Sequence, residues 1–178
     1  MLTPEPDYAI KLLFVGPVGA GKTTAIRAIA DTPPISTDVP WTDANGGSKQ
    51  TTTVAFDYST IRLDQEETLH VYGLPGQHHL DFMAPIVGRG ALGAVLLLDA
   101  SSAVMHTDCV HSIKELQRSS PGLKFVIGVT KADLAPRFSM QTLHQLLQQM
   151  NLAVPIFSID SRDRAQVMQL VRALLLLL

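Results

Sequence analysis

Cysteine is almost missing from this sequence: Cys109 is the only one in 178 residues. It can form no internal disulfide, which suits a reducing compartment and sets the cytoplasm as the expected location. No basic group stands beside it in the chain to lower its pKa, so it reads as a core or helix-face thiol and not as a nucleophile. Basic clusters are missing too. Fourteen Lys and Arg face sixteen Asp and Glu, a formal charge of −2, and without a basic patch neither a nucleic-acid partner nor an anionic membrane is expected. No apolar run approaches the ~20 residues that a bilayer-crossing helix needs. Leu174 to Leu178 comes nearest and reads as the buried end of a last helix. Met1 to Tyr8 holds two prolines and two acids and does not have the pattern of a signal peptide. Met1 is not followed by glycine and no terminal C-a-a-X box is present, so no lipid anchor is expected. The length suits one domain, residues 1–178, with a substantial core.

What the chain does contain is Gly16-Pro17-Val18-Gly19-Ala20-Gly21-Lys22-Thr23, which fits G-x-x-x-x-G-K-[ST], the loop that wraps a nucleotide's phosphates. The apolar run Ile10 to Val15 before it and the helix-compatible Thr24 to Ala30 after it supply the strand–loop–helix setting that the motif requires. Gly19 and Gly21 let the backbone approach the phosphates, and the amides from about Gly19 to Thr23 face anionic oxygens from a helix N-terminus. Pro17 has no N–H to donate. Gly16, Val18, Gly19, Ala20, Gly21, Lys22, Thr23 and Thr24 are thus the expected phosphate site. Lys22 bridges the outer phosphates, and the Thr23 hydroxyl is a Mg²⁺ ligand.

Alternation of apolar runs and amphipathic segments continues along the chain. A helix from Lys22 to about Ala30 stops at Asp31-Thr32-Pro33-Pro34, and Ser36 to Thr52 reads as a long polar loop in which Trp41 is the only large apolar side chain. Val54 to Leu63 and Leu69 to Tyr72 read as a hairpin joined at Asp64 to Glu67. A short helix is expected over His79 to Val87, buried strands over Gly93 to Leu98 and Phe125 to Val129, and helices over Val104 to Gln117, Met140 to Met150 and Arg162 to Leu178. Val154 to Phe157 completes the strands. This order implies an α/β, three-layer P-loop NTPase fold, a six-stranded mostly parallel sheet with one antiparallel strand and ligand loops at the strands' C-terminal ends.

A phosphate loop does not choose a base. Thr130-Lys131-Ala132-Asp133 follows the next-to-last buried strand, where a carboxylate from Asp133 accepts from guanine's ring N–H and exocyclic amine, a donor pair that adenine lacks. The Lys131 stem lies along the base.

With these motifs the sequence resembles the Ras-like small GTPases, and more narrowly the prokaryotic gliding and cell-polarity GTPases that work with roadblock-domain proteins. The matching residues are Gly16 to Thr24, Lys49 to Tyr58, Gly73-Leu74-Pro75-Gly76-Gln77 and Thr130 to Asp133, in family order. The resemblance implies a GTP/GDP-binding switch with Mg²⁺, slow hydrolysis, and a protein partner, a roadblock-domain activator among them, that reads two switch loops. It assigns the first switch to Ser36 to Thr53, where Thr53 closes over the γ-phosphate and Mg²⁺, with Thr52 and Thr51 as alternatives. It assigns the second to Pro75-Gly76-Gln77, with the Gly76 N–H on the γ-phosphate and Gln77 orienting the attacking water. The sequence also departs from the family. Gly73 stands where an aspartate serving the Mg²⁺ site is usual; Asp57 is the candidate replacement, on the expectation that its strand runs beside the first strand, and a structural or solvent-facing Asp57 is the alternative. Val18 replaces a glycine and narrows the space for an inserted arginine, and neither Arg62 nor Arg89 is placed to supply one. The last guanine motif reduces to Ser158-Ile159-Asp160, which makes Ser158 a base-site candidate. His78 and His79 read as switch-surface residues. The competing readings are a nucleotide-binding interaction module that barely hydrolyses and, less favoured, a small-molecule kinase.

Overall fold

The computed structural model describes residues 10–42, 51–63, 67–74 and 90–178. Strand β1 (Ile10–Val15) opens through the phosphate loop into helix α1 (Lys22–Ile29). Strands β2 (Ile35–Thr42), β3 (Thr51–Arg62), β4 (Thr68–Gly73) and β5 (Ala91–Asp99) follow, then helix α2 (Met105–Ser119) and strand β6 (Phe125–Thr130). A short 3-10 turn (Ala132–Leu134), helix α3 (Met140–Gln149), strand β7 (Ile156–Ser158) and helix α4 (Arg164–Leu175) close the chain. The expected helix over His79 to Val87 lies outside the described residues.

The sheet runs β2-β3-β4-β1-β5-β6-β7. Pairing is parallel from β4 through β7 and antiparallel on both sides of β3, so β3 is the one strand that runs against the rest. Among the described residues there are seven strands, not the six expected. The additional one, β2, comes out of the stretch read as a loop. Its sequence Ile-Ser-Thr-Asp-Val-Pro-Trp-Thr alternates Ile35, Thr37, Val39 and Trp41 with polar or small residues, the period of a half-covered strand. Pro40 is compatible with it because β2 is an edge strand, where a missing ladder N–H is tolerated.

Alternation along the central strands sends side chains to two cores. Leu12 and Phe14 join Ala25, Ile26, Ile29, Val167, Leu170 and Leu174 from α1 and α4. Leu13 and Val15 join Met105, Cys109, Ile113, Leu143 and Leu147 from α2 and α3. Helices on both faces of a largely parallel sheet explain why the centres of β1, β5 and β6 are apolar, with polar residues only at Lys11, Asp99 and Thr130 near their ends. The C-terminal leucines divide by helical period: Leu174 is fully buried, while Leu175, Leu176 and Leu178 are exposed. The run is therefore not a buried end, because only residues three or four apart share the sheet-facing side. Among the described residues no helix is long and apolar enough to cross a membrane.

Arg164 binds the two helices of one face together. Its guanidinium donates to the α1 carbonyls of Ile29 (2.8 Å) and Ala28 (3.3 Å), groups that a helix C-terminus otherwise leaves unpaired.

Candidate functional site

Three loops at the C-terminal ends of the parallel strands converge: residues 16–21 after β1, residues 131–134 after β6 and residues 159–163 after β7. The first is built on glycine for steric reasons. At Gly16 (φ 132°) a Cβ would lie 2.2 Å from the Leu97 carbonyl oxygen, and Gly21 (φ 97°) is the left-handed N-cap of α1, a conformation that costs other residues. The first turn of α1 contains no acidic residue and its cap accepts no side-chain bond, so its N–H groups and the positive end of its dipole stand ready for an anion. Lys22 Nζ donates to the Gly16 and Pro17 carbonyls at 2.8 Å each. Burial lowers its pKa to about 8 despite the nearby Asp57 charge.

Asp57 sits on β3 directly opposite Gly73 of β4, and the Thr23 hydroxyl donates to its carboxylate. The carboxylate missing from β4 is thus supplied from the neighbouring strand. Gly73 is what lets it in: a Cβ there would lie 2.7 Å from Ile26 Cδ1, 3.2 Å from Asp57 Cβ and 3.3 Å from Asp57 Oδ2. The expected route was different, because β3 does not run beside β1; β4 lies between them and the side chain reaches across the absent one. Thr23 and Asp57 together offer hard oxygen donors of the kind Mg²⁺ takes, with one or two carboxylates completed by substrate phosphates. No group of three or more His, Cys, Asp or Glu among the described residues forms a separate metal cage.

At the other end, a cleft of about 770 Å³ is lined by residues that include Gly21, Thr24, Lys131, Asp133, Ser158 and Ser161. Thr130, 1% exposed, donates to the carbonyls of Ala20 (3.0 Å) and Leu98 (3.1 Å). Lys131 adopts φ 57°, uncommon for a side-chain-bearing residue, and its ammonium bonds the Gly19 carbonyl (2.9 Å) and Asp99 (2.5 Å). With its tip anchored, its stem becomes a wall of the cleft. Burial raises the Asp99 pKa, but hydrogen bonds from Lys131 and Ser101 and the Lys131 charge outweigh it and hold the carboxyl below its usual range.

The third loop allows a full count of donors. The Ile159 N–H goes to the Val129 carbonyl (2.9 Å) and that of Asp163 to the Asp160 carbonyl (3.0 Å). The Asp160 N–H goes to Gln166 Oε1 (2.9 Å) and that of Arg162 to Asp160 Oδ1 (2.9 Å). Ser161 is left: neither its N–H nor its hydroxyl has a partner among the described residues, and its Oγ would lie 2.9 Å from a Cβ on Gly21. Ser158 lines the same cleft, and Ser161 adds an unspent N–H and hydroxyl beside Gly21 of the phosphate loop. Its signal in sequence was faint, since a serine inside Asp-Ser-Arg-Asp is ordinary turn composition. Arg162 folds back bidentately onto Asp160 at 2.7–3.2 Å, which holds the Asp160 carboxyl down to about 2.

Gly76, Gln77, His78, His79 and Arg89 lie outside the described residues. Thr53 is in β3 opposite Pro40 and Trp41 is in β2 opposite Thr52. Arg62 ends β3 beside Thr68, away from the phosphate loop, and its N–H donates to Asp31. Cys109 is fully buried in the α2–α3 core, and burial pushes its thiol up to about 11.

Residues 34–177 match the family described as conserved hypothetical ATP binding protein, and the chain belongs to that family. The matched range begins after the phosphate loop. The chain is also similar to an uncharacterized protein of Methanocaldococcus jannaschii, 26% identical over 125 residues that cover 70% of this chain and 71% of the relative. It is similar to the Ras-related protein YPT3 of Nicotiana plumbaginifolia at 24% identity, covering 78% of this chain and 60% of that protein. With the Ras-related protein Rab-1D of Dictyostelium discoideum it shares 27% identity over 66% of this chain and 53% of the relative. It thus spans between half and about seven-tenths of the length of these curated relatives. The chain is a nucleotide-binding P-loop protein with a small-GTPase-like fold.

Proposed function

We propose that this member of the family is a single guanine-nucleotide-binding domain that acts as a slow GTP-hydrolysing switch. The observation that carries the reading is the pairing of Asp133 with the unengaged donors of Ser161 in one cleft. Guanine presents an acceptor at its six position and donors at ring N1 and the exocyclic amine, which Ser161 and Asp133 complement. Adenine reverses the first two and would leave the polar groups that it covers facing their own kind, a costly mismatch. Lys22, the N-terminus of α1 and the backbone of Gly19 to Thr23 hold the phosphates.

Thr23 and Asp57 would hold Mg²⁺, and the resemblance adds Thr53 as a further ligand from the first switch. When bound, the ion screens phosphate charge and adds to the stabilisation of charge on the leaving group. By the resemblance, Gln77 would orient water for attack and the Gly76 N–H would serve the γ-phosphate. A protein partner that reads the segments carrying Thr53 and Gln77 completes the switch, and a roadblock-domain activator fits the narrower resemblance. We expect slow hydrolysis without that partner, because Val18, 87% exposed, stands where an arginine would insert, and Arg162, which lines the cleft, is held on Asp160. The same observation favours a second reading, an interaction module that binds nucleotide and barely turns it over.

The test begins with the nucleotide that the purified protein retains, identified by base and phosphate count. We expect guanine, and we expect Asp133→Asn to lower GDP affinity while favouring xanthosine diphosphate, whose carbonyl at the two position accepts from the new amide. Retention of adenine nucleotide, or an unchanged base preference in the variant, refutes the reading. Single-turnover release of γ-phosphate separates switch from module.

A further inference from the structure

The phosphate loop is held from behind by the base-reading turn. Gly19 and Ala20 turn their carbonyls away from the phosphate side, onto Lys131 Nζ (2.9 Å) and Thr130 Oγ1 (3.0 Å). In a planar trans peptide the N–H points opposite its carbonyl, so fixing these two carbonyls fixes the direction of the Gly21 N–H and of the Ala20 N–H, which closes the loop on the Pro17 carbonyl (3.3 Å). Lys131 is the one member of this linkage with a long, rotatable side chain, and it is held in a left-handed backbone conformation. What keeps its ammonium in place is therefore decisive.

Asp99, at the end of β5, does this with both carboxylate oxygens. Oδ2 accepts from Lys131 Nζ at 2.5 Å, and Oδ1 accepts from the Ser101 N–H (2.9 Å) and hydroxyl (2.5 Å). Its side chain is 14% exposed. A carboxylate fixed through both oxygens gives direction as well as charge. We infer that Asp99 is a positioning residue that couples the two ends of the nucleotide site: by holding the Lys131 ammonium it sets the wall of the base slot and the orientation of the phosphate loop together. Without it, the ammonium keeps only the Gly19 carbonyl and is free to turn toward phosphate, taking its stem off the base. The identity of the base, and only that, rests on the guanine reading.

The test is a double-mutant cycle on the rate of release of a fluorescent GDP. Asp99→Asn keeps an acceptor for Ser101 and removes the charge; it should speed release about tenfold, the value of one charge-assisted hydrogen bond. In a Lys131→Ala background the same substitution should change release by less than about twofold, which a merely structural role for Asp99 would not produce. Ser101→Ala, which removes the hydroxyl from Oδ1 and leaves the backbone N–H on it, should give a smaller acceleration that also disappears with Lys131→Ala. Unchanged release in Asp99→Asn, or an equal multiplicative effect in the two backgrounds, overturns the inference. If the wild-type protein retains ADP instead, the guanine reading falls while the same cycle run with fluorescent ADP still decides the role of Asp99.

Discussion

Exchanging Asp57 and Gly73 between their two strands tests the metal site most directly. The two residues face each other across the β3–β4 pair, and Gly73 leaves room for only one side chain: a Cβ added there meets Asp57 Cβ at 3.2 Å and Ile26 Cδ1 at 2.7 Å. Gly73→Asp alone places a second carboxylate on the first. Two like charges about 4 Å apart repel by about 4 kcal/mol in a partly screened setting, and overpacking adds roughly 1–3 kcal/mol. That variant should be severely destabilised. Asp57→Gly alone should fold, because it opens space, but it strips Thr23 of its carboxylate partner and should weaken Mg²⁺ binding by about 10–100-fold. The double exchange, Asp57→Gly with Gly73→Asp, removes both the clash and the repulsion and returns one carboxylate to the same cavity, at the cost of a small shift of the Ile26 methyl. The assay is release of fluorescent GDP with and without a chelator, as a function of Mg²⁺. Wild type should release faster on chelation, Asp57→Gly should hardly respond, and the exchange should recover most of the response. A chelator response in Asp57→Gly equal to wild type would refute the reasoning, and so would an exchange no better than that single variant.

Two further outcomes follow from the titrating groups. Lys22, with its pKa lowered to about 8 by burial, must be charged to hold phosphate, so GDP affinity is full below pH 8 and falls as pH rises through it, about tenfold between pH 7 and 9; titration calorimetry should show proton uptake over that interval, and Lys22→Arg should flatten both. In the nucleotide-free protein the sign is reversed: a depressed lysine pKa means that folding stability rises from pH 8 toward the unfolded lysine range. Cys109, fully buried and pushed up to about 11, should react with an aromatic disulfide reagent only at the rate of unfolding; prompt modification of the folded protein would show that the α2–α3 core opens locally.

How far the sequence could be read depended on whether each signal was local. The phosphate loop is contiguous, and the centres of β1, β5 and β6 are buried on both faces, so their apolar runs are easily recognised. β2 was hidden because an edge strand needs only one apolar face and tolerates Pro40, so the stretch from Ser36 passed for a loop. Asp57 was legible as a charge in need of a reason, but its route to Thr23 was not, since that depends on strand order and on the hole left by Gly73. Ser161 and Asp99 were the least visible. The first becomes distinctive only after every neighbouring N–H has been assigned an acceptor, and the second only when Lys131, 32 residues away along the chain, turns back onto it.

The guanidinium of Arg164, at the start of α4, sits on the carbonyls that end α1 and ties together two helices that both face the ligand with their N-terminal ends. α1 starts at the phosphate loop and α4 starts just after the loop that carries Ser161. One ionic cap therefore makes a single rigid jaw of both. With these two helices tied, the less constrained side of a bound nucleotide is the strand pair that carries Asp57, and release is expected to begin there.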